Sequence, residues 1–431
     1  MRVPRDRVKK IPLPLRSWML GSILLGCTYI FISSPLLTMM RAAESLVLIA
    51  KAQLHLPILA VEPVTEKIEN AQPVPLRSIS ELLPLDATWK NDTDFFKHAG
   101  FCPVKGCNKL RKVREAWSDP NILSAAEEAR QEPRTNLWAF VQIPRSHNQT
   151  FGVMTRDVNR DTIISGALQY GQPFDRHIRD AILRSIKDFR DKYPTKPVVF
   201  VDVGANIGLF TSMALSVGAD QVISFEPMRA NVGVMLNTIQ RNGWQHRHWL
   251  YHNALHFEPL RVQMKPTDPD INLSNGHIYN SSCTQEENGK YGVDYMDAVT
   301  LDQVMLTRHA NVEDIALMKM DVEMFEPQVI NGAMRFLCNR KIHQILMEVG
   351  FNLDGNAVCN MPQMLSTLEQ LGYAITDTTG FRKYEWQGWQ SFPSDILLTM
   401  EHTAHTPLER LRLKKGDKNV CEGFEIPYNY S

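Results

Sequence analysis

Residues 200–210 read FVDVGANIGLF. With Val198 and Val199 before it, the stretch starts as a continuous apolar run, meets Asp202, and turns through Gly204 and Gly208. It resumes in LFTSMALSVG, which has helical character and a stop at Gly218. A strand, a glycine turn and a helix in that order form a ligand-binding device of open parallel sheets, whose ligands lie at the carboxyl ends of strands. Glycine lets the backbone turn sharply and a ligand approach closely. The helix start supplies free N–H groups. A phosphate loop is excluded, because no Gly-Lys-Ser/Thr follows. A dinucleotide fingerprint fits poorly: Asn206 stands where the middle glycine belongs, and Gly208 comes one residue too soon.

The pattern around this stretch is α/β. Before it, Ile178, Ile182, Ile186 and Phe189 mark one face of a helix over about 176–190, which Pro194 and Pro197 end. After it come QVISFE (strand), NVGVMLNTIQRNG (helix), HWLYHNAL (strand), VTLDQVM (helix start) and IALMKMD (strand). EPQVINGAMRFL (helix), HQILMEVG (strand), MPQMLSTLEQLG (helix), GYAITDT (strand) and DILLTM (strand) follow. Such alternation with apolar strands predicts a mostly parallel sheet with helices on both faces.

Two acids give the turn its chemistry. Glu226 closes QVISFE, and Pro227 stops that strand. An acid there can accept hydrogen bonds from both hydroxyls of a ribose. Asp202 is awkward beside a pyrophosphate but suits a cofactor carrying an ammonium and a sulfonium. Asp202 and Glu226 are therefore expected to converge on one cleft.

In their order and spacing, VVFVDVGANIGLFT, VISFEPM, NAL, LMKMDVEMFEPQVINGA and ILMEVG closely resemble the FkbM-type S-adenosylmethionine-dependent methyltransferases, over roughly 161–400. The resemblance implies a class I methyltransferase (Rossmann-like) fold: a mostly parallel seven-stranded sheet whose last strand is antiparallel. It implies methyl transfer, usually to a hydroxyl and often on a sugar. Asp202, Gly204, Asn206 and Gly208 would hold the methionine part of S-adenosylmethionine, Glu226 its ribose, and Asn253 would lie near its adenine. FkbM-like sequences usually have glycine where Met324 stands in DVEM, so a side chain there could narrow the acceptor site or mark lost catalysis.

Methyl transfer needs alignment and removal of the acceptor's proton. Asp321, Glu323 and Glu348 are the carboxylates expected at strand ends. Glu323 is the first candidate for base or acceptor contact, and Asp321 for a place beside the sulfonium. For Glu326 a helix-capping or solvated role is preferred, and Lys319 could simply pair with one of these acids. No metal is expected. His246, His248, His252 and His256 lack a partner carboxylate at ligand spacing and are assigned to packing or surface. The aromatics Phe381, Tyr384, Trp386 and Trp389 could stack on a sugar or cap the core. The polar insertion 257–295 could be a lid or decoration.

At the other end of the chain, Ser17–Met40 holds 24 uncharged residues, enough to cross a hydrocarbon core of about 30 Å. Six basic residues precede it against one acid, which predicts a cytosolic N-terminus and a single-pass membrane anchor. Residues 1–16 are then a cytosolic tail, 41–150 a stem and accessory region, 151–400 the lumenal methyltransferase domain of a secretory-pathway protein (Golgi or endoplasmic reticulum), and 401–431 a tail. Beyond the anchor, Cys102, Cys107, Cys283, Cys338, Cys359 and Cys421 could supply up to three disulfides, or be scattered thiols. Sequons at Asn91, Asn148, Asn272, Asn280 and Asn429 agree with a lumenal domain. Among 431 residues the formal net charge is zero, which gives no footprint for nucleic acid. Two functions follow: a methyltransferase acting on a glycan or small hydroxylated acceptor, or a catalytically inactive binding module on the same scaffold.

Overall fold

The computed structural model describes residues 112–131, 137–143, 150–281, 294–349, 361–401 and 405–407. The anchor, most of the stem, Cys102, Cys107, Cys283, Cys359 and Cys421, Asn91, Asn148, Asn429 and nearly all of the tail lie outside them.

The expected alternation becomes the main sheet, built from β3 (Val199–Val203), β4 (Gln221–Phe225), β5 (His248–Tyr251), β11 (Leu317–Met320), β13 (Gln344–Glu348), β14 (Tyr373–Asp377), β15 (Lys383–Tyr384) and β16 (Asp395–Met400). The spatial order is β15-β14-β16-β13-β11-β3-β4-β5. The pairs β3–β4, β4–β5, β3–β11 and β11–β13 are parallel, and β16 lies antiparallel between β13 and β14. Seven strands thus match the expected sheet. The eighth, β15, is the correction: the aromatic loop contributes a two-residue edge strand on β14.

Every residue of β3 is buried, as a central strand covered on both faces must be. One face carries α2 (Arg176–Lys192), α3 (Leu209–Ser216) and α4 (Arg229–Arg241). The other carries α5 (Leu301–Met305), α6 (Glu326–Asn331), α7 (Met334–Asn339) and α8 (Met361–Gln370). In α2 the predicted stripe Ile178, Ile182, Ile186 and Phe189 is buried. The helix predicted over EPQVINGAMRFL is two helices, broken at Gly332–Ala333. There the His256 carbonyl oxygen comes so close that a Cβ on Gly332 would lie 2.3 Å from it.

HWLYHNAL is likewise two strands. After β5 the chain leaves the main sheet as β6 (Ala254–Leu255), which joins β7 (Leu260–Asp268), β8 (Asn272–Ser281) and β9 (Asp294–Val299) in a second sheet of order β6-β9-β7-β8. Most of the polar insertion is therefore a hairpin of long strands. Residues 112–131 and 137–143, assigned by sequence to the stem and accessory region, contribute to the α/β core through α1 (Pro120–Gln131) and β1 (Leu137–Gln142). The core contact of α1 with α4 is so close that a Cβ on Gly233 would lie 2.5 Å from the Ala125 carbonyl oxygen. Packing thus begins before residue 151. Among the described residues no helix is long and apolar enough to cross a membrane.

Candidate functional site

The strand order reverses between β3 and β11, the topological switch point where ligands bind in open α/β sheets. The glycine turn after β3 and the acid loop after β11 meet there. Gly204 has φ +77°, and a Cβ on it would stand 1.8 Å from the Asp321 carbonyl oxygen. Only glycine lets the two backbones touch. Gly208, at φ +83°, starts α3 against Met235. Asn206 also has positive φ, +53°, a conformation that asparagine tolerates.

Glu226 closes the turn from the β4 side. Its Oε2 accepts from the Asn206 N–H at 2.7 Å, and its Oε1 from the Met228 N–H at 2.8 Å and Asn231 Nδ2 at 3.2 Å. Burial pushes this carboxyl up to about 8, against the downward pull of those donors.

Gly204, Asn206, Glu226, Asn253, Asp321 and Glu323 line one cleft. Its opposite wall is the β7–β8 hairpin, through Met264, Ser274, Asn275 and Gly276. That settles the insertion as a wall of the site. The Asn253 amide is committed to backbone: Oδ1 accepts from the Arg114 N–H at 2.7 Å, and Nδ2 donates to the carbonyls of Lys112 and Asp297. It fastens the cleft's floor to the segment before α1.

Asp202 does not meet Glu226 in this cleft. It is fully buried and accepts from Thr211 Oγ1 on α3 at 2.6 Å. Strand alternation sends it to the α3 face, opposite Val201 and Val203. Its other oxygen lies 4.0 Å from Lys319 Nζ. Lys319 does more than pair with one acid: it donates to the Gly204 carbonyl at 3.0 Å and to Asp321 Oδ2 at 3.1 Å. Burial works against the Lys319 ammonium, yet Asp321 and Asp202 hold it charged, with its pKa above the ordinary lysine value. This one cation ties the glycine turn, the acid loop and Asp202 together.

The acid loop has unusual backbone. Glu323 has φ +53° and Met324 φ +76°. Met324 lines neither this cleft nor the next, so its side chain does not narrow them. Glu326 is fully buried, not solvated, and its Oε1 accepts from the Val322 N–H at 2.9 Å, so it braces the acid loop. Burial pushes it up to about 8.

Asp321, Glu323 and Glu348 are brought together, with carboxylate oxygens within 4.8 Å of one another. That spacing could hold a cation, which the sequence reading did not foresee. Burial first, then the charges of Asp321 and Glu323, push the Glu348 carboxyl well above the usual carboxylate range. Glu323 is raised too, again mainly by burial.

Glu348 and Asp321 face a second cleft, lined also by Asp175, His177, Lys319 and Asp395. Sequence reasoning missed Asp175, His177, Ser394 and Asp395. His177 Nε2 lies 2.9 Å from Asp395 Oδ2, across 218 positions of chain.

The histidines are core, apart from exposed His246. Burial lowers His248 to about 3, and His252 and His256 to about 4. Of the loop aromatics, Trp389 is buried, Tyr384 and Trp386 pack on the core, and only Phe381 is exposed, at 90%. None of the four lines either cleft.

Known solved structures resemble the chain weakly. Precorrin-6y C5,15-methyltransferase from Geobacter metallireducens GS-15 is 10% identical, over 51% of this chain and 85% of that one, with a TM-score of 0.25. Cofactor-bound Rv0187 from MTB is 12% identical over 66% and 91%, with a TM-score of 0.29. The bifunctional kinase-methyltransferase WbdD is 12% identical over 57% of this chain, with a TM-score of 0.32, and the match spans 44% of WbdD. No match was found among curated proteins. Residues 202–375, from Asp202 in β3 to Ile375 in β14, match the family model of the methyltransferase FkbM domain, a stretch that holds both the glycine turn and the acid loop and supports a methyltransferase.

Proposed function

We propose that the chain is an S-adenosylmethionine-dependent methyltransferase acting on a hydroxyl of a glycan or glycoconjugate. The observation that carries this is Glu226, tied to the Asn206 N–H at 2.7 Å, in a cleft that Asp321 also lines. The residues fit the donor. Three N–H groups occupy Glu226, and a carboxylate has about four lone-pair sites, so about one acceptor site remains for a ribose hydroxyl. Phe225, Leu255 and Phe325 supply apolar wall for a flat ring. Asp321, held by Lys319, adds negative charge to the same cleft, where a sulfonium would be favoured. When bound, the donor supplies an activated methyl group.

The anchor at residues 17–40 and a lumenal domain complete the reading. The uncharged length and the basic flank support the anchor. Cys338 is disulfide-bonded, which supports an oxidising compartment.

The test is calorimetric titration with S-adenosylmethionine, then incubation of methyl-labelled donor with glycans released from glycoproteins. Saturable binding and label in glycan are expected, both weakened in Glu226→Gln. Binding without transfer in any glycan fraction favours the inactive binding module, and binding of a nicotinamide dinucleotide in place of the donor removes the methyltransferase reading.

A further inference from the structure

The second cleft shares Asp321 with the first and opens where β11, β13 and β16 end or begin beside the start of α2. Because β16 is antiparallel, its first residues lie at the carboxyl edge of the parallel strands, and Asp395 stands opposite Glu348. His177, in the first turn of α2, places Nε2 2.9 Å from Asp395 Oδ2. Ser394 Oγ donates to the same oxygen at 2.7 Å. Asp395 has a side chain 18% exposed, while His177 is half open to solvent at 50%.

We propose that this cleft receives the acceptor hydroxyl and that His177 is the general base, oriented by Asp395; the inference rests on the methyltransferase reading above. A carboxylate only accepts, so the proton between the two residues belongs to Nε2. Nδ1 then keeps its lone pair, and no described residue hydrogen-bonds to it. This is the nucleophile-base-orienter logic of acyl-transfer enzymes applied to a methyl acceptor.

The other groups of the cleft are less suited. Lys319 spends its protons on the Gly204 carbonyl and Asp321. Glu348 is raised by burial and by the charges of Asp321 and Glu323, and gathers with them. Asp175 and Asp321 are carboxylates, weaker bases toward an alcohol than an imidazole. They and Asp395 instead surround the imidazolium with negative charge.

The step balances without a further reactant. The acceptor hydroxyl gives its proton to Nδ1, and its oxygen forms a bond to the methyl carbon of S-adenosylmethionine. The carbon–sulfur bond breaks with its electron pair kept on sulfur. The products are a methyl ether, a neutral thioether and an imidazolium facing Asp395.

The experiment uses the full chain in detergent, with S-adenosylmethionine as donor and released N-glycans and glycosaminoglycan chains as probes. His177→Gln is expected to bind donor within about twofold of wild type, since it does not line the first cleft, and to lose about 10²–10⁴-fold in kcat. Asp395→Asn is expected to lose roughly 10²-fold in kcat with the acceptor KM unchanged, because an amide there no longer selects the Nε2–H tautomer. Nitrogen chemical shifts of the His177 ring, in protein without acceptor, are expected to show hydrogen on Nε2. Hydrogen on Nδ1, or His177→Gln turnover within threefold of wild type, overturns the assignment while leaving donor binding intact. Loss of donor binding in the wild type instead strikes the methyltransferase reading itself.

Discussion

The two clefts meet at Asp321 but hold their shape by different means. In the first, backbone does the positioning: Gly204 touches the Asp321 carbonyl, and N–H groups of Asn206 and Met228 fix Glu226. In the second, charge dominates. Asp175, Asp321, Glu348 and Asp395 gather with Lys319 as the buried cation. A backbone-built site fails when an atom is added, and a charge-built one fails when the compensating ion is removed.

Lys319→Met tests the second kind of failure and should have the largest effect. It leaves Asp202 and Asp321 without their cation, and breaking a buried pair from one side costs about 3–5 kcal/mol. Urea denaturation reads the loss. Adding Asp202→Asn to the variant should restore a substantial part of it, because one uncompensated charge goes. A loss below about 1 kcal/mol would mean that the charges, not the lysine, are already neutralised.

Gly204→Ala tests the first kind. Its Cβ would meet backbone, which cannot swing aside like a long side chain, and alanine at φ +77° is strained in addition. A loss of about 3 kcal/mol is expected, with donor binding abolished. Retained donor affinity would show that the turn and acid loop can separate without harm to the cleft.

The pH dependence of donor binding separates the clefts more finely. Glu226 is raised from 4.5 to about 8, so at neutral pH it is mostly protonated in the free protein. A ribose hydroxyl donates to the ionised form, so binding expels a proton. Affinity should rise up to about tenfold per pH unit toward pH 8 and level off above it. The sign for folding is opposite: between 4.5 and about 8 the folded protein holds a proton that the unfolded chain has released, so this group's contribution to stability falls as pH rises. Calorimetry across that range, in buffers of different ionisation heat, reads the expelled proton. An affinity independent of pH would remove Glu226 as the ribose acceptor.

Legibility in the sequence followed locality. The β3 turn, Glu226 and the acid loop are each written in a few adjacent residues, and the fold brings them to one switch point. Asp202 was misplaced because a strand buried on both faces offers no polar side to show where an acid points. The β7–β8 wall was legible only in part: Leu260, Val262 and Met264 alternate with Arg261, Gln263 and Lys265 as a half-buried strand would, but the hairpin becomes a wall only through pairing with β9. His177 and Asp395 are separated by most of the domain, yet one signal was available. If the last strand of such a sheet is antiparallel, its first residue must stand at the site edge, and that residue is Asp395.

Met324 is the smallest test, and it addresses a place where the two kinds of construction overlap. FkbM-like sequences usually carry glycine here, and the backbone explains why: φ is +76°, which costs an ordinary L-residue about 1–2 kcal/mol. Met324→Gly removes that strain but adds freedom to the unfolded chain, a cost of about 0.4–1 kcal/mol. The balance is a gain of about 0.5 kcal/mol, read by urea denaturation. Because the side chain lines neither cleft, donor affinity and turnover should stay as they are. A marked rise in turnover would show that the methionine restrains Glu323 and Asp321 through the loop, so that strain in the backbone reaches the charges of both clefts.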